Sequence, residues 1–209
     1  GNWFDTSKVN VLAFVLIFSA LIVLFIRVAR RDTNLFIRRI PGLDAIDEAI
    51  GRATEMGKPI LYLNGLLDMS SLATIASTSI LGKVAHKTAN YDSEIKVPCY
   101  DPIVMSVCQE VVKEAYLQVG RPDSFKPDNI YFLSNDQFAY AAAVDGIIMR
   151  ERPAANLFMG YYFAESLLIA ETGAATGAIQ IAGTDSITQL PFFITTCDYT
   201  LMGEELYAA

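Results

Sequence analysis

The chain has 209 residues, of which 53% are hydrophobic and 19% charged, and its 16 Lys and Arg are outnumbered by 23 Asp and Glu. The net charge of −7 disfavours nucleic-acid binding, because a protein that binds the phosphate backbone needs a basic surface. The three cysteines form no Cys-x-x-Cys pair and there is a single histidine, which excludes a zinc site of the usual ligand spacing.

The first predicted element is a helix over residues 9–26, an apolar run that only Asn10 and Ser19 interrupt. A helix needs about 20 apolar residues to cross the hydrocarbon layer of a bilayer. A run of this length therefore predicts a transmembrane helix over residues 9–28.

Charged residues flank this run unequally and predict its orientation. The side chains expected to anchor the helix at the membrane surfaces are Trp3, Lys8, Arg27, Arg30 and Arg31. Arginines concentrate after the run and positive charge stays in the cytoplasm, so residues 1–8 are predicted to be an extracytoplasmic stub and residues 29–41 a basic cytoplasmic linker. Basic residues after the run also argue against a signal peptide. We expect a single-pass protein of the inner (cytoplasmic) membrane, with an extracytoplasmic domain or partner before residue 1.

Residues 42–209 are predicted to form one cytoplasmic α/β domain, because short apolar runs alternate with helical patterns along them. The predicted strands cover residues 60–64, 94–99, 129–133, 156–161, 178–183 and 198–202. The predicted helices cover residues 42–56, 71–88, 102–119, 137–150, 164–171, 187–195 and the residues from 204 onward. Continuous apolar strands separated by helices indicate a parallel sheet that is covered on both faces. The predicted fold is α/β, a Rossmann-like, mainly parallel sheet flanked by helices and preceded by one transmembrane helix.

Polar side chains are predicted at the carboxyl ends of the strands, where doubly wound sheets bind ligands. The candidate ligand-binding residues are Asn64, Asp101, Asp136, Glu165 and Asp185. Carboxylates that converge there could hold a hard cation or act as acid and base. The alternative interpretation is that each residue caps the helix that it precedes, as Asp and Asn commonly do. We predict no cofactor and assign no metal site.

No motif identifies a reaction. Gly82-Lys83 lacks the upstream glycine and the following Ser or Thr of a phosphate loop. Gly-x-Ser-x-Gly is absent, and a Ser–His–Asp triad would depend on His86, which lies within a predicted helix. We therefore assign no catalytic residue, and the sequence favours a function other than catalysis.

Several stretches resemble a known family. They are GLDAIDEAIGRATEMGKPI at 42–60, VPCYDP at 97–102, DQFAY at 136–140, IQIAGTDS at 179–186 and CDYTLMGEELYAA at 197–209. Together they resemble a bacterial membrane-anchored α/β domain family of unknown function, whose members often carry fibronectin-like extracytoplasmic modules. The resemblance implies the topology described above and supplies no catalytic residue.

The composition favours assembly as the function. Small side chains such as Ala139 and those at 141–143 permit close approach of neighbouring elements, and the hydrophobic fraction is high even allowing for the apolar run. We expect a membrane-anchored cytoplasmic assembly or scaffold module that self-associates through its α/β domain. Its expected partners are the lipid bilayer and other copies of the chain. The alternatives are a small-ligand or metal-binding domain that uses the strand-end carboxylates, and a signalling element that passes an outside event through the span.

Overall fold

A computed structural model of the chain describes residues 8–31 and 40–209. Two compact units make up the chain, residues 1–39 and residues 40–209. The first unit contains helix α1 (Val9–Arg31), whose most apolar stretch of 18 residues has a mean hydropathy of 3.0. By length and composition this helix could cross a membrane. It continues five residues beyond the predicted apolar run, so the first residues of the predicted linker are helical.

The residues predicted to anchor this helix fall into two groups. Lys8 precedes α1, and Arg27 and Arg30 lie near its C-terminal end. Trp3 and the side chain of Arg31 lie outside the described part of the chain. The anchoring role of all five residues stays a prediction.

The second unit alternates strands and helices. Its strands are β1 (Ile60–Gly65), β2 (Ile95–Cys99), β3 (Ile130–Phe132), β4 (Ala155–Tyr161), β5 (Ile179–Thr184) and β6 (Tyr199–Met202). Its helices are α2 (Pro41–Met56), α3 (Leu72–Tyr91), α4 (Pro102–Gln118), α5 (Gln137–Glu151), α6 (Glu165–Ala175), α7 (Leu190–Thr196) and α8 (Glu205–Ala208). All six predicted strands are present, and their ends lie within one residue of the predicted ends.

The six strands form one parallel sheet in the order β3-β2-β1-β4-β5-β6. The order reverses between β1 and β4, which makes this pair the switch point of the sheet. This is the strand order of doubly wound, Rossmann-type folds, so the predicted fold class is confirmed.

Helices cover both faces of this sheet. Helices α2, α3, α4 and α8 pack on one face through side chains such as Ile50, Leu81 and Leu206. Helices α5, α6 and α7 pack on the other face through side chains such as Tyr140 and Phe193. Every residue of β1 and β5 is buried, which explains why these strands are mainly apolar in the sequence.

Candidate functional site

All five predicted ligand-binding residues lie at the carboxyl ends of the strands. Asn64 is the penultimate residue of β1, Asp101 follows β2, and Asp136 lies between β3 and α5. Glu165 is the first residue of α6 after β4, and Asp185 directly follows β5. The carboxyl ends of parallel strands lie at one edge of a sheet, so the topology brings these residues to the same end of the unit.

Two of these carboxylates bind the backbone of their own helices. Asp101 Oδ1 accepts hydrogen bonds from the backbone N–H groups of Ile103 at 2.8 Å and Val104 at 2.9 Å. Asp136 Oδ1 accepts one from the N–H of Ala139 at 2.8 Å. These bonds satisfy N–H groups that have no partner within the helix, and each cap stabilises the fold by about 1 kcal/mol. Asp101 and Asp136 therefore act as helix caps.

Glu165 makes a different set of contacts. Its side chain is fully buried, with Oε1 accepting from the N–H of Phe163 at 2.8 Å and Oε2 accepting from Gln137 Nε2 at 2.5 Å. Gln137 is the first residue of α5, so the carboxylate joins the beginnings of α5 and α6. Glu165 therefore holds the connection after β4 against α5, on the helix layer that covers one face of the sheet.

Asp185 binds the C-terminal helix. Its Oδ2 accepts a hydrogen bond from the hydroxyl of Tyr207 at 2.5 Å, and this bond raises the pKa of Tyr207 to about 12. The other oxygen, Oδ1, is buried and has no hydrogen-bond partner within the described residues. Asp185 is thus the one predicted carboxylate with an oxygen both buried and unpaired.

Asn64 lies beneath the surface of this end, against α3. Its Nδ2 donates to Ser77 Oγ at 3.2 Å, and the neighbouring Tyr62 hydroxyl donates to the Ser77 carbonyl at 2.6 Å. Burial raises the pKa of Tyr62, which keeps its hydroxyl protonated as a donor. Asn64 Oδ1 is buried and unpaired in the described part of the chain.

The predicted residues therefore share one end of the sheet without sharing partners. Within residues 8–31 and 40–209, no group of three or more His, Cys, Asp or Glu is placed to hold a metal ion. A shallow depression of about 390 Å³ lies beside Asp101 and is also lined by Leu66, Asp68, Ser70 and Tyr100.

Two glycines bring β1 and β4 into close contact at the switch point. A Cβ atom at Gly160 would lie 2.2 Å from the carbonyl oxygen of Asn64, and one at Gly65 would lie 2.5 Å from that of Tyr161. Both glycines have positive φ, +80° at Gly65 and +133° at Gly160, which side chains rarely permit. Gly65 occupies the place of the first glycine of a dinucleotide-binding loop, but Leu67 and Ser70 stand at the places of its second and third glycines. This loop therefore does not have the composition of a phosphate-binding loop.

Sequence reasoning missed a set of large apolar side chains at this end. Ile187 is 80% exposed, Leu72 70%, Ile103 65% and Phe138 60%. Three of them follow an aspartate by two positions, in Asp101-Pro-Ile103, Asp136-Gln-Phe138 and Asp185-Ser-Ile187. This repeated Asp-x-Ile/Phe pattern, within four residues of the ends of three strands, was the signal in the sequence that could have located them.

We call this region the carboxyl-end surface. Its apolar members are Leu72, Ile103, Phe138, Phe163 and Ile187, and its acidic members are Asp68, Asp101, Asp136, Asp185 and Glu204. The connections at this end are residues 66–71, 100–101, 133–136, 162–164, 185–189 and 203–204. They contain no Lys, Arg or His. The carboxyl-end surface is therefore both apolar and uniformly acidic.

The opposite end of the sheet differs in charge. Both signs of charge are present there: Glu151 pairs with Lys96 at 2.6 Å, Glu94 with Lys126 at 3.3 Å and Asp92 with Arg121 at 3.3 Å, and the exposed Asp123 and Asp128 lie in the connection before β3.

The comparisons with known proteins identify one family. The family described as "Domain of unknown function (DUF6754)" matches residues 1–209, which is the whole chain. No curated protein and no solved structure gives a significant match. The match agrees with the resemblance to a family of unknown function, and the chain therefore belongs to the DUF6754 family.

Proposed function

We propose that this protein is a membrane-anchored assembly module, in which α1 anchors the chain and the α/β unit associates with other copies. The single observation that carries this proposal is the set of exposed apolar side chains on the carboxyl-end surface. Burial of a large apolar side chain stabilises a complex by roughly 1.5–3 kcal/mol, so leaving several of them in water is unfavourable. A contiguous apolar area rimmed by polar groups is typical of an interaction surface.

The membrane part of the proposal rests on α1. Its length and hydropathy suit a single span, and Arg27 and Arg30 near its C-terminal end favour a cytoplasmic α/β unit by the positive-inside rule. We propose that the protein lies in a bacterial inner membrane with its N-terminus outside. A reporter that fluoresces only in the cytoplasm, fused after Ala209, should be fluorescent and should fractionate with membranes. A soluble or dark fusion would contradict this topology.

Self-association is tested by the mass of the full chain in a mild detergent. Sedimentation velocity at micromolar concentration should give a species of two or more chains after correction for bound detergent. A matched variant replaces residues 9–26 by an unrelated apolar helix of equal length, and association should persist because it depends on the α/β unit. A wild-type chain that sediments as a monomer would refute the proposal.

Ligand binding at the strand ends is the second candidate function. The observation that favours it is the unpaired, buried Oδ1 of Asp185, beside an Oδ2 that Tyr207 already occupies. A small cation or polar ligand bound there should raise the thermal midpoint of the wild-type chain and leave that of Asp185→Asn unchanged. Equal responses of the two chains to millimolar Mg²⁺ would exclude a magnesium site at Asp185.

A further inference from the structure

The two helix layers that cover the sheet differ in the charge of their exposed sides. On one layer, helix α2 alone exposes five charged residues, Asp44, Asp47, Glu48, Arg52 and Glu55. On the other layer, Arg150 and Glu171 are the charged residues among the exposed positions of α5, α6 and α7. The second layer therefore turns a nearly uncharged side to the solvent.

We call this side the α5–α7 face. Its members are the exposed residues 138, 139, 142, 149 and 150 of α5, 168, 171, 174 and 175 of α6, and 191, 194 and 195 of α7. The large apolar side chains among them are Phe138, Met149, Leu168 and Ile194. Helix α6 packs against both α5 and α7, so the three helices form one continuous face. Phe138 also belongs to the carboxyl-end surface, which makes the apolar parts of the two surfaces continuous.

Helix α5 has no polar side. Between Gln137 and Arg150 its only charged side chain is Asp145, which is half-buried beside Thr172 of α6. A helix that is apolar all round is normally buried all round. In the α/β unit, however, only one side of α5 is covered, the side that packs on the sheet through Tyr140. The exposed side of α5 thus has the composition of a buried contact.

The charges of the α5–α7 face fit a second copy of the chain. Its exposed charges, Arg150 and Glu171, are opposite in sign, so two copies that met through this face would bring together no excess of like charge. The uniformly acidic carboxyl-end surface could not make such a symmetric contact. An anionic lipid surface attracts clusters of basic residues, and this face has a single exposed cation.

We propose that two copies bind each other through their α5–α7 faces about a twofold axis near Ala142, with the two α5 helices antiparallel. This inference rests on the self-association proposed above and names the surface that makes it. Ala139, Ala142 and Gly146 are three and four positions apart and lie on one side of α5, where their small size lets two helices approach closely. The antiparallel arrangement places Arg150, near the end of α5, towards Asp136 at the start of the other copy's α5. In a single copy Arg150 instead folds back over Gly146, where a Cβ atom would lie 2.9 Å from its Nη1.

The size of the α5–α7 face agrees with a stable contact. Helices α5, α6 and α7 have 15, 11 and 7 residues, which at about 1.5 Å per residue makes them roughly 22, 16 and 10 Å long. With a width of about 10 Å for each helix, their projected area is roughly 500 Å². The accessible area of ridged helices exceeds this projection, and it approaches the 800 Å² or so that each partner contributes to a stable interface.

Two variants of the full chain at Ala142 test the contact. Ala142→Glu places a carboxylate near the twofold axis and Ala142→Lys places an ammonium group there, so in each variant the new charge faces its own copy. Each variant alone should self-associate at least about a hundredfold more weakly than the wild type, because like charges then oppose each other. Sedimentation velocity in a mild detergent measures this difference.

An equimolar mixture of the two variants is the decisive measurement. A contact in which Ala142 lies close to Ala142 of the other copy brings the new Glu against the new Lys. Two distinguishable tags should therefore show a mixed complex of two chains that neither variant forms alone. If both variants are weakened and the mixture also stays monomeric, no twofold axis lies near Ala142 and the proposed arrangement is wrong.

Controls separate this inference from the proposed function and from misfolding. Leu117→Glu adds the same charge at an exposed position of α4, on the other helix layer, and should associate like the wild type. An equal loss in this control would show that added charge alone weakens association, which would refute the contact. Near-ultraviolet circular dichroism should show that all three variants keep the wild-type fold.

The wild-type chain distinguishes the two proposals. If the wild type associates and both Ala142 variants associate equally well, the α5–α7 face is not the contact, while assembly stands. A monomeric wild type would overturn both proposals.

Discussion

Gly173 in α6 should respond to substitution in the direction opposite to an ordinary helical glycine. Replacing glycine by alanine within a helix normally stabilises it by up to about 1 kcal/mol, because alanine loses less backbone entropy on folding. At Gly173, however, a Cβ atom would lie 1.9 Å from Gln180 Oε1 and 2.7 Å from Asn156 Nδ2. Gly173→Ala should therefore destabilise the α/β unit.

The magnitude follows from what holds Gln180 in place. Its Nε2 donates to the carbonyl of Ala170 at 2.9 Å and to that of Thr196 at 2.8 Å, and its Oε1 accepts from Asn156 at 3.2 Å. The amide is buried, so it can move away from a new methyl group only by breaking these bonds. Overpacking costs about 1–3 kcal/mol and each lost bond about 1 kcal/mol, against a gain of up to 1 kcal/mol in helix propensity. We expect a net loss of roughly 2–4 kcal/mol.

Gly51 in α2 provides the matched control. A Cβ atom there would meet no atom of residues 8–31 and 40–209 within 4 Å and the backbone φ is negative, so Gly51→Ala should stabilise by roughly 0.5–1 kcal/mol. Since a domain of this size changes its melting temperature by about 2–4 °C per kcal/mol, the two variants should shift it in opposite directions. The sole tryptophan, Trp3, is not part of the unit of residues 40–209, so the near-ultraviolet dichroism of the tyrosines is the suitable probe of the α/β unit.

A double-mutant cycle isolates the steric cause. Gln180→Ala removes the amide that the new methyl group would meet, so Gly173→Ala should cost far less in that background than in the wild type. The reasoning is refuted if Gly173→Ala raises the melting temperature as Gly51→Ala does. It is also refuted if the cost of Gly173→Ala is unchanged when Gln180 is alanine.

Substitutions at three residues test two strand-end side chains and one half-buried acid. Asp101→Ala should cost about 1 kcal/mol by urea denaturation and Asp101→Asn much less, since Asn keeps the capping oxygen; equal costs would contradict capping. Glu165→Ala should cost roughly 2–4 kcal/mol because it removes both hydrogen bonds of a buried carboxylate, whereas Glu165→Gln, which can rebuild the bond to Gln137, should cost less. Burial raises the pKa of Asp145. At pH values above the ordinary pKa of an aspartate, the folded chain therefore binds more protons than the unfolded chain, and its stability falls as the pH rises through that range. Asp145→Asn should therefore raise the melting temperature at pH 7, and the gain should shrink as the pH approaches 4; a gain independent of pH would exclude this titration.

The order of elements could be predicted from the sequence because each signal is local. A strand buried on both faces appears as a continuous apolar run, and a helix cap such as Asp101-Pro102 marks a boundary within one or two residues. The predicted ends of the helices were less accurate than those of the strands. Helix α7 begins at Leu190, three residues after the predicted start at 187, because Ser186–Gln189 forms a turn first.

The roles of the strand-end residues depend on contacts between distant parts of the chain. The bond from Gln137 to Glu165 joins residues 28 positions apart, and that from Tyr207 to Asp185 joins residues 22 apart. Nothing in the neighbouring residues distinguishes Glu165, which is buried against another helix, from Asp101, which caps its own. Only the packing of α5 against α6 separates these two uses of a carboxylate.

Sequence alone determined the apolar length of α1, the alternation of strands and helices, and the placement of acidic residues after the strands, since each depends on residues close together in the chain. Tertiary structure decided the strand order, the close approach of Gly65 and Gly160, and the exposure of Ile103, Phe138 and Ile187. The physical reason is that an apolar side chain in a sequence is expected to be buried, and only the folded chain shows which ones no other element covers.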